Sequence, residues 1–507
     1  MKLVSVFRAA RVVCAVLVCL TFAAPACGAI RAGFAERDIS PEIGMEQPGG
    51  YHKSFHRTFH DPCKVRVAVF DDGQKCTAIV GVDALVVPQS LVDQARRGIV
   101  QRCGIPAQAV LIAASHSHSS GPLGMVQPGE YDHASPLVQK LAYEQSSMAN
   151  PDYLARVEQA IVDAVAAAHE SRGEVHCGFG SGREEQVAFN RRFRMKNGLS
   201  YTHPGQGNPD IVEPAGPVDP EVGVVAVWNL EGQLVGCIVN FACHATTSPG
   251  GISANYIYYL EKVIRGVMGD DVVVVFTAGA NGDVTQVDNL SPTKHPAPEA
   301  WAQLVGGRVG AEAVKVMFTV ERTAEAAVDF RVKTLQIPRR SPSPQRVQQC
   351  LALVENPPAD VDRTALTFAK EILLLDAKLQ REPVAEVEVQ ALQLGPVVFV
   401  SNPAEYFCQF GLDIKQGSPF PLTFPVELAN GCVGYVPTEE ALGPAGGGYE
   451  TRLTAYSNLI PSAGRTIADA GIELAKQLQP TPLPTRPPHA PFSGNGWSYG
   501  NVPPELE

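Results

Sequence analysis

Two histidines one residue apart, His116 and His118, follow the apolar run Val110–Ala114 and precede a break at Gly121 and Pro122. On an extended chain an i, i+2 pair points to one side, so the spacing predicts two imidazoles converging where a strand ends. Strand ends are the site position in open α/β sheets. A second run, "LVGCIVNFACHATT", delivers His244 in the same way, ahead of Thr246, Thr247 and a Pro-Gly-Gly break. A third strand end carries "AGANGDVTQ", where Asn281, Asp283 and Thr285 offer side-chain oxygens. A fourth, "PVVFVSNPAEYF", presents Glu405, and "GGGYET" places Tyr449 after three glycines. Each has a plain structural reading too, as a hydrogen-bonded histidine or an Asx turn. Together they supply two or three imidazoles, a carboxylate and a phenol, nitrogen and oxygen donors that zinc accepts. Zinc with an open coordination position lowers the pKa of a bound water to about 7, so the donor set predicts hydrolysis.

The elements that must position these residues alternate between strand and helix. Apolar alternation through "CKVRVAVF" meets "DDGQ" and resumes as "CTAIVGVDALVV", a hairpin pattern that leaves Asp83 at a strand end. Apolar spacing predicts helices over 89–103, 152–169, 301–319, 365–380 and 462–477. Strands are expected at "AVLIAA", "EVGVVAVWN", "LVGCIVNFA", "DVVVVFTAG", "VEVQALQLG" and "PVVFVSNPA". The fold class is α/β with a mixed β-sheet core flanked by helices and the metal site at strand ends. The segments "QSLVDQ" and "PSPQRVQQCLALV" read as core-facing amphipathic helices. No repeat of solenoid or propeller period occurs.

Residues 1–26 read as an export signal: Lys2, Arg8 and Arg11, a 13-residue apolar run too short to span a bilayer, then the small-residue site "APA". A membrane anchor is the competing reading of that run. Cys27 raises lipidation as a further alternative, although Ala24 stands where a lipobox has leucine. Residues 31–478 form the expected catalytic domain, and the Pro/Gly-rich 479–507 reads as a flexible tail or a strap over the surface. The chain carries a formal net charge of −11, and removal of the signal makes it more acidic, which argues against nucleic-acid binding. A secreted or periplasmic location permits disulfides, but no CxxC pair occurs; most cysteines read as core residues, with one or two disulfides compatible with the spacing.

Several motifs resemble one family, the neutral/alkaline non-lysosomal ceramidases, in the family's order from about Ala32 to Gln477. "AERDISPEIG" is similar to its DITPPIG-like start, "SHSHSSGP" to its THTHSGP signature, and "FNRR" to its asparagine-arginine motif. "NFACHATT" matches its histidine strand, "GANGDVTQ" its NxGDVSPN segment, "NPAEYF" its PGEF segment and "GYVPTEEALGPAGGGYET" its late tyrosine segment. The resemblance implies one zinc ion per chain, ligated by His116, His244, Glu405 and Tyr449. It makes His118 an oxyanion-stabilising neighbour of the metal, places Arg191 and Tyr435 in the pocket, and puts Thr285 where the family has its catalytic serine. The implied reaction is hydrolysis of the N-acyl amide of a ceramide-like lipid, with His118 or Tyr435 helping the metal to stabilise the oxyanion. A lipid substrate implies peripheral contact with a membrane.

The sequence departs from the family at Thr285, at Gln286 in place of a proline, and at Asn255, where short bacterial relatives often have aspartate. The resemblance covers the catalytic domain of full-length ceramidases and not their C-terminal sandwich domain. Rival readings are a zinc hydrolase of another amide or ester, a barrel amidohydrolase entered through its HxH, and a non-catalytic secreted binding protein. At least two strands precede this HxH, against the barrel pattern, whereas Thr285 and Gln286 favour the binding protein.

Overall fold

The structure, a computed structural model, describes residues 29–486 together with 488, 494, 499 and 502–507. The expected export signal and Cys27 lie outside the described residues. Three mixed sheets form the centre of the molecule. The first joins Arg31–Asp38, Lys64–Asp71, Cys76–Val82, Val110–Ala114 and the short Gly173–Glu174. The second joins His176–Arg183, Glu221–Trp228, Leu234–Phe241, Val273–Ala278 and Arg322–Thr323. The third joins Val328–Pro338, Val384–Leu394, Val397–Ser401 and Leu422–Val426. Side chains from all three, among them Phe70, Leu111, Val225, Val275, Phe399 and Phe424, meet in one apolar core.

Helices cover the outer faces. Gln89–Cys103 and Pro151–Glu170 lie on the first sheet, Tyr256–Met268 and Pro298–Thr319 on the second, and Cys408–Gly417 and Ala463–Lys476 on the third. Strands covered on both faces read as near-continuous apolar runs, which is why "DVVVVFTAG" carries so little alternation. Asn150 caps Pro151–Glu170 by accepting the Tyr153 N–H, with proline in the first turn.

Each sheet contains one parallel strand pair: Cys76–Val82 with Val110–Ala114, Leu234–Phe241 with Val273–Ala278, and Val397–Ser401 with Leu422–Val426. Parallel neighbours end on the same side. The loops leaving those ends are knitted together: Ala114 N–H donates to Leu428 O, His118 N–H to Ala245 O, and Gly282 N–H to Tyr406 O. The expected mixed α/β architecture is what the chain adopts.

Two expectations need correction. The "PSPQRVQQCLALV" segment does form a helix, Pro344–Glu355, but it buries no residue fully. Val347, Cys350 and Val354 are half-buried against the helix Arg363–Leu379, so it is a surface layer on another helix. The nine described cysteines are all free, and most are core-facing. Past the last helix, residues 480–486 run over the surface without helix or strand, and Arg486 pairs with Glu321 at 3.0 Å.

Candidate metal centre

His116, His118 and His244 come together, the convergence of the first two being what their spacing predicts, but not by the expected route. His116 sits at φ 61°, so the chain leaves the extended state immediately after the strand and turns through the left-handed region. A non-glycine residue is held there only when its surroundings over-determine it. Here the ring is anchored, its Nδ1 lying 2.9 Å from the Leu85 carbonyl. The turn brings His118 Nε2 to 3.3 Å from His116 Nε2. His244 arrives from the second sheet with Nδ1 at 2.8 Å from Asn281 O and 3.1 Å from Val284 O. The ligating atoms of the three imidazoles lie within 4.8 Å of one another, a group that could hold a metal ion.

Those carbonyls decide the tautomers. A carbonyl only accepts, so Nδ1 of His116 and of His244 carries the proton and each Nε2 presents a lone pair. Both Nε2 atoms lie 3.3 Å from Glu405 Oε2, which is also a lone-pair acceptor. His244 Nε2 and Glu405 Oε2 are buried without any hydrogen-bond partner. Three acceptors facing one another in a site about 1–3% exposed repel unless a cation lies among them. The residues therefore fit a metal. Burial, with Arg191 and His116 adding to it, lowers the His244 pKa to about 3, so this imidazole stays neutral and available as a ligand. Burial and the two neighbouring imidazoles hold His118 well below its ordinary value as well.

The second layer explains why the ligands sit still. Glu405 Oε1 accepts from the Tyr456 hydroxyl at 2.6 Å. Glu427, fully buried, uses one oxygen, Oε2, to accept both the Asn281 and the Tyr406 backbone N–H at 2.9 Å. That single oxygen ties the loop whose carbonyl orients His244 to the residue following Glu405. Gly282 lies so close that a Cβ there would meet the Glu405 carbonyl at 2.6 Å. Gly49, at φ 117°, packs over His118, where a Cβ would stand 2.5 Å from Nδ1.

Arg191 and Tyr435 are placed together at the edge of the centre. Arg191 donates from Nη2 to the Gly282 carbonyl at 2.8 Å and to the Tyr435 hydroxyl at 3.1 Å, and from Nε to Glu450 at 2.8 Å. The Tyr449 hydroxyl is 3.1 Å from that of Tyr435, and the guanidinium lies 5.2 Å from the Tyr449 ring. Burial pushes both phenols up, against the opposing charge of Arg191. Thr285 is buried, and its hydroxyl donates to Gln286 Oε1 at 3.0 Å, an acceptor that Thr246 shares at 3.0 Å. Gln286, where the motif it resembles has proline, thus supplies the partner that engages the threonine. Asn255 Oδ1 accepts from Thr247 N and Tyr256 N while its Nδ2 has no partner.

Sequence reasoning missed Tyr456, Glu427, Glu450, Gly49 and Tyr51, all remote in the chain from His116 and His244. Tyr51 and Tyr456 also line a cavity of about 710 Å³ whose wall includes Glu371, Tyr131, Met125 and Leu374. Burial, opposed by Lys370, lifts the Glu371 carboxyl to about 7.

No protein-family model matches the chain, and no curated protein matches its sequence. Solved structures do match. The neutral ceramidase from Pseudomonas aeruginosa superposes with a TM-score of 0.66 at 18% identity, over 91% of this chain and 76% of that one. A ceramidase complexed with C2 superposes with a TM-score of 0.65 at 17% identity, over 91% and 77%. The family the motifs resemble and the architecture agree: the chain has the neutral ceramidase-like fold.

Proposed function

We propose that the protein is a secreted or periplasmic zinc-dependent hydrolase that cleaves the N-acyl amide of ceramide-like lipids to a sphingoid base and a fatty acid, with one zinc per chain. The observation that carries this reading is the set of opposed lone pairs on His116, His244 and Glu405 in a fold shared with neutral ceramidases. Bound there, zinc supplies Lewis acidity to a water and an amide carbonyl near neutral pH.

The chain's own residues do the rest. His116, His244 and Glu405 would hold the ion, with Tyr449 or His118 completing the set. His118, kept neutral, offers a hydrogen bond rather than a charge. Tyr435 accepts from Arg191, so its own proton is free to be donated to Tyr449 or to a developing oxyanion. The buried guanidinium adds a fixed positive charge beside that proton, and it costs no reorganisation during the reaction. Thr285, engaged with Gln286, positions that loop and donates nothing to the substrate until the glutamine shifts.

One observation favours a second reading, a hydrolase of a more polar amide. The cavity reaching Tyr456 is lined by Glu130, Lys378, Arg339 and Glu371 as well as by apolar groups, which suits two long alkyl chains poorly. Elemental analysis of the purified protein, run beside hydrolysis of a fluorescent short-chain ceramide with and without chelator, separates the readings. Near-stoichiometric zinc with chelator-sensitive cleavage is expected. Zinc without ceramide cleavage would transfer the site to another amide or to a binding role, and full activity in verified metal-free protein would sink the hydrolytic reading.

A further inference from the structure

Residues 43–60 form a ribbon of two antiparallel runs, with Gly44 N–H donating to His56 O at 2.9 Å and Gln47 N–H to Ser54 O at 2.8 Å. One face rests on the loop that carries His118. Gln47 Nε2 donates to the His118 carbonyl at 2.8 Å, and His56, 2% exposed, places Nε2 2.8 Å from the Ser120 carbonyl. Alternation along the extended run turns the intervening residues outward. Phe55 is 53% exposed, Phe59 is 54% exposed, and Arg57 stands between them, also exposed. Ile43, on the partner run, is 62% exposed.

Two exposed phenylalanines in line with an arginine are not explained by packing. Among the described residues Arg57 has neither ion pair nor hydrogen bond through its side chain. Beyond His60 the helix Tyr256–Met268 continues the same character: the Tyr258 ring lies 6.3 Å from that of His60, and the Lys262 ammonium lies 5.9 Å from the Tyr258 ring. The strip's cations without an acidic partner among the described residues are Arg57 and Lys262, whereas His60 between them faces Asp61 at 2.6 Å and Glu299 at 3.7 Å, in a chain whose formal net charge is −11.

We propose that this strip docks the protein onto an anionic lipid bilayer. The inference rests on the lipid-amide reading above and names the surface that reading needs. Phenylalanine side chains bury themselves at the headgroup boundary, and nearby cations are attracted by anionic lipid, whereas the acidic remainder of the chain is repelled. A second copy of the chain is the poorer occupant, because facing strips would oppose Arg57 and Lys262 to their own kind. Docked in this way, the bilayer lies against the ribbon whose other face rests on the His118 loop.

The test is co-sedimentation of the whole protein with vesicles of phosphatidylcholine alone, or of phosphatidylcholine and phosphatidylglycerol in equal parts. Wild type is expected to partition onto the mixed vesicles. A Phe55→Ser/Phe59→Ser double variant should bind about a hundredfold more weakly, roughly tenfold per ring. Arg57→Glu should weaken binding to the mixed vesicles about tenfold and leave the pure phosphatidylcholine result unchanged. All variants should hydrolyse a soluble short-chain amide at the wild-type rate. Variants that sediment like wild type would overturn the proposal, as would wild type that stays in the supernatant or a concentration-dependent dimer abolished by the same changes. Because sedimentation involves no hydrolysis, a failed catalytic reading leaves this result standing, and active protein that ignores vesicles removes the docking surface alone.

Discussion

Two buried polar clusters gather around strand ends in this molecule, and they are finished in opposite ways. Around Arg66 every charge faces its complement: Nη1 reaches Asp83 at 2.6 Å and Nε reaches Glu261 at 2.9 Å, while Lys64 and Arg265 hold the second Glu261 oxygen at 2.7 and 2.6 Å. Around Glu405, two imidazole lone pairs face a carboxylate oxygen at 3.3 Å and neither His244 Nε2 nor Glu405 Oε2 has a partner. The first cluster is complete as a protein. The second is complete only with a cation, so comparing the two separates polar burial that holds sheets and helices together from polar burial that awaits a ligand.

The comparison breaks most sharply at the centre itself. His244→Ala or Glu405→Ala should reduce metal affinity by more than about 100-fold and remove amide hydrolysis, yet metal-free His244→Ala should be no less stable than metal-free wild type, since one of the opposed lone pairs has gone. Metal titration and urea unfolding of both proteins check this. Arg66→Met should do the reverse: a loss of about 3–5 kcal/mol in urea unfolding, because Asp83 and Glu261 are left buried and facing each other, with metal content unchanged in the folded protein.

Glu427 links the two kinds of behaviour, as a carboxylate whose work is to place ligands. Glu427→Leu should cost about 10- to 100-fold in metal affinity, whereas Glu427→Gln, whose carbonyl can still accept from Asn281 and Tyr406, should stay close to wild type. Equal affinity in all three proteins would refute that role. A smaller effect sharpens the Arg66 side. Despite burial, Arg66 and Lys64 hold Glu261 down at about 2, from an ordinary 4.5. Its stabilising contribution is therefore complete above pH 4.5 and lost as the pH falls through 2. The gap in urea midpoint between wild type and Glu261→Gln should be constant above pH 4.5 and should narrow towards pH 2. The least effect is expected from Thr285→Ser, which removes a methyl but keeps the hydroxyl: metal content unchanged, amide turnover raised a few-fold, read from initial rates at saturating substrate.

Much of this was legible in the chain because strands covered on both faces announce themselves as apolar runs, and a polar residue where such a run stops has few other uses. That logic finds His116, His244 and Glu405, and it finds Asp83 equally well. Spacing alone does not tell a ligand from an ion-pair partner, since the difference lies in what arrives from elsewhere: Arg66 and Glu261 for Asp83, only further acceptors for Glu405. The left-handed turn at His116 was hidden for a similar reason, being imposed by the Leu85 carbonyl from a separate loop. Tyr456 carries no local mark, whereas Glu427 directly follows the buried strand Leu422–Val426 and was open to the same logic. The helix Pro344–Glu355 was visible by period but not by depth, because an amphipathic stripe looks the same whether it meets a sheet or another helix.

The convergence of three parallel strand pairs, one from each sheet, also fixes when the centre can exist. His116, His244 and Glu405 are far apart in the chain, so closing the loops between them is slow relative to local helix formation. No single sheet holds two of the three anchors. A half-folded chain therefore offers a metal at most the local His116 and His118 pair, and the full set including His244 and Glu405 exists only once all three sheets have met.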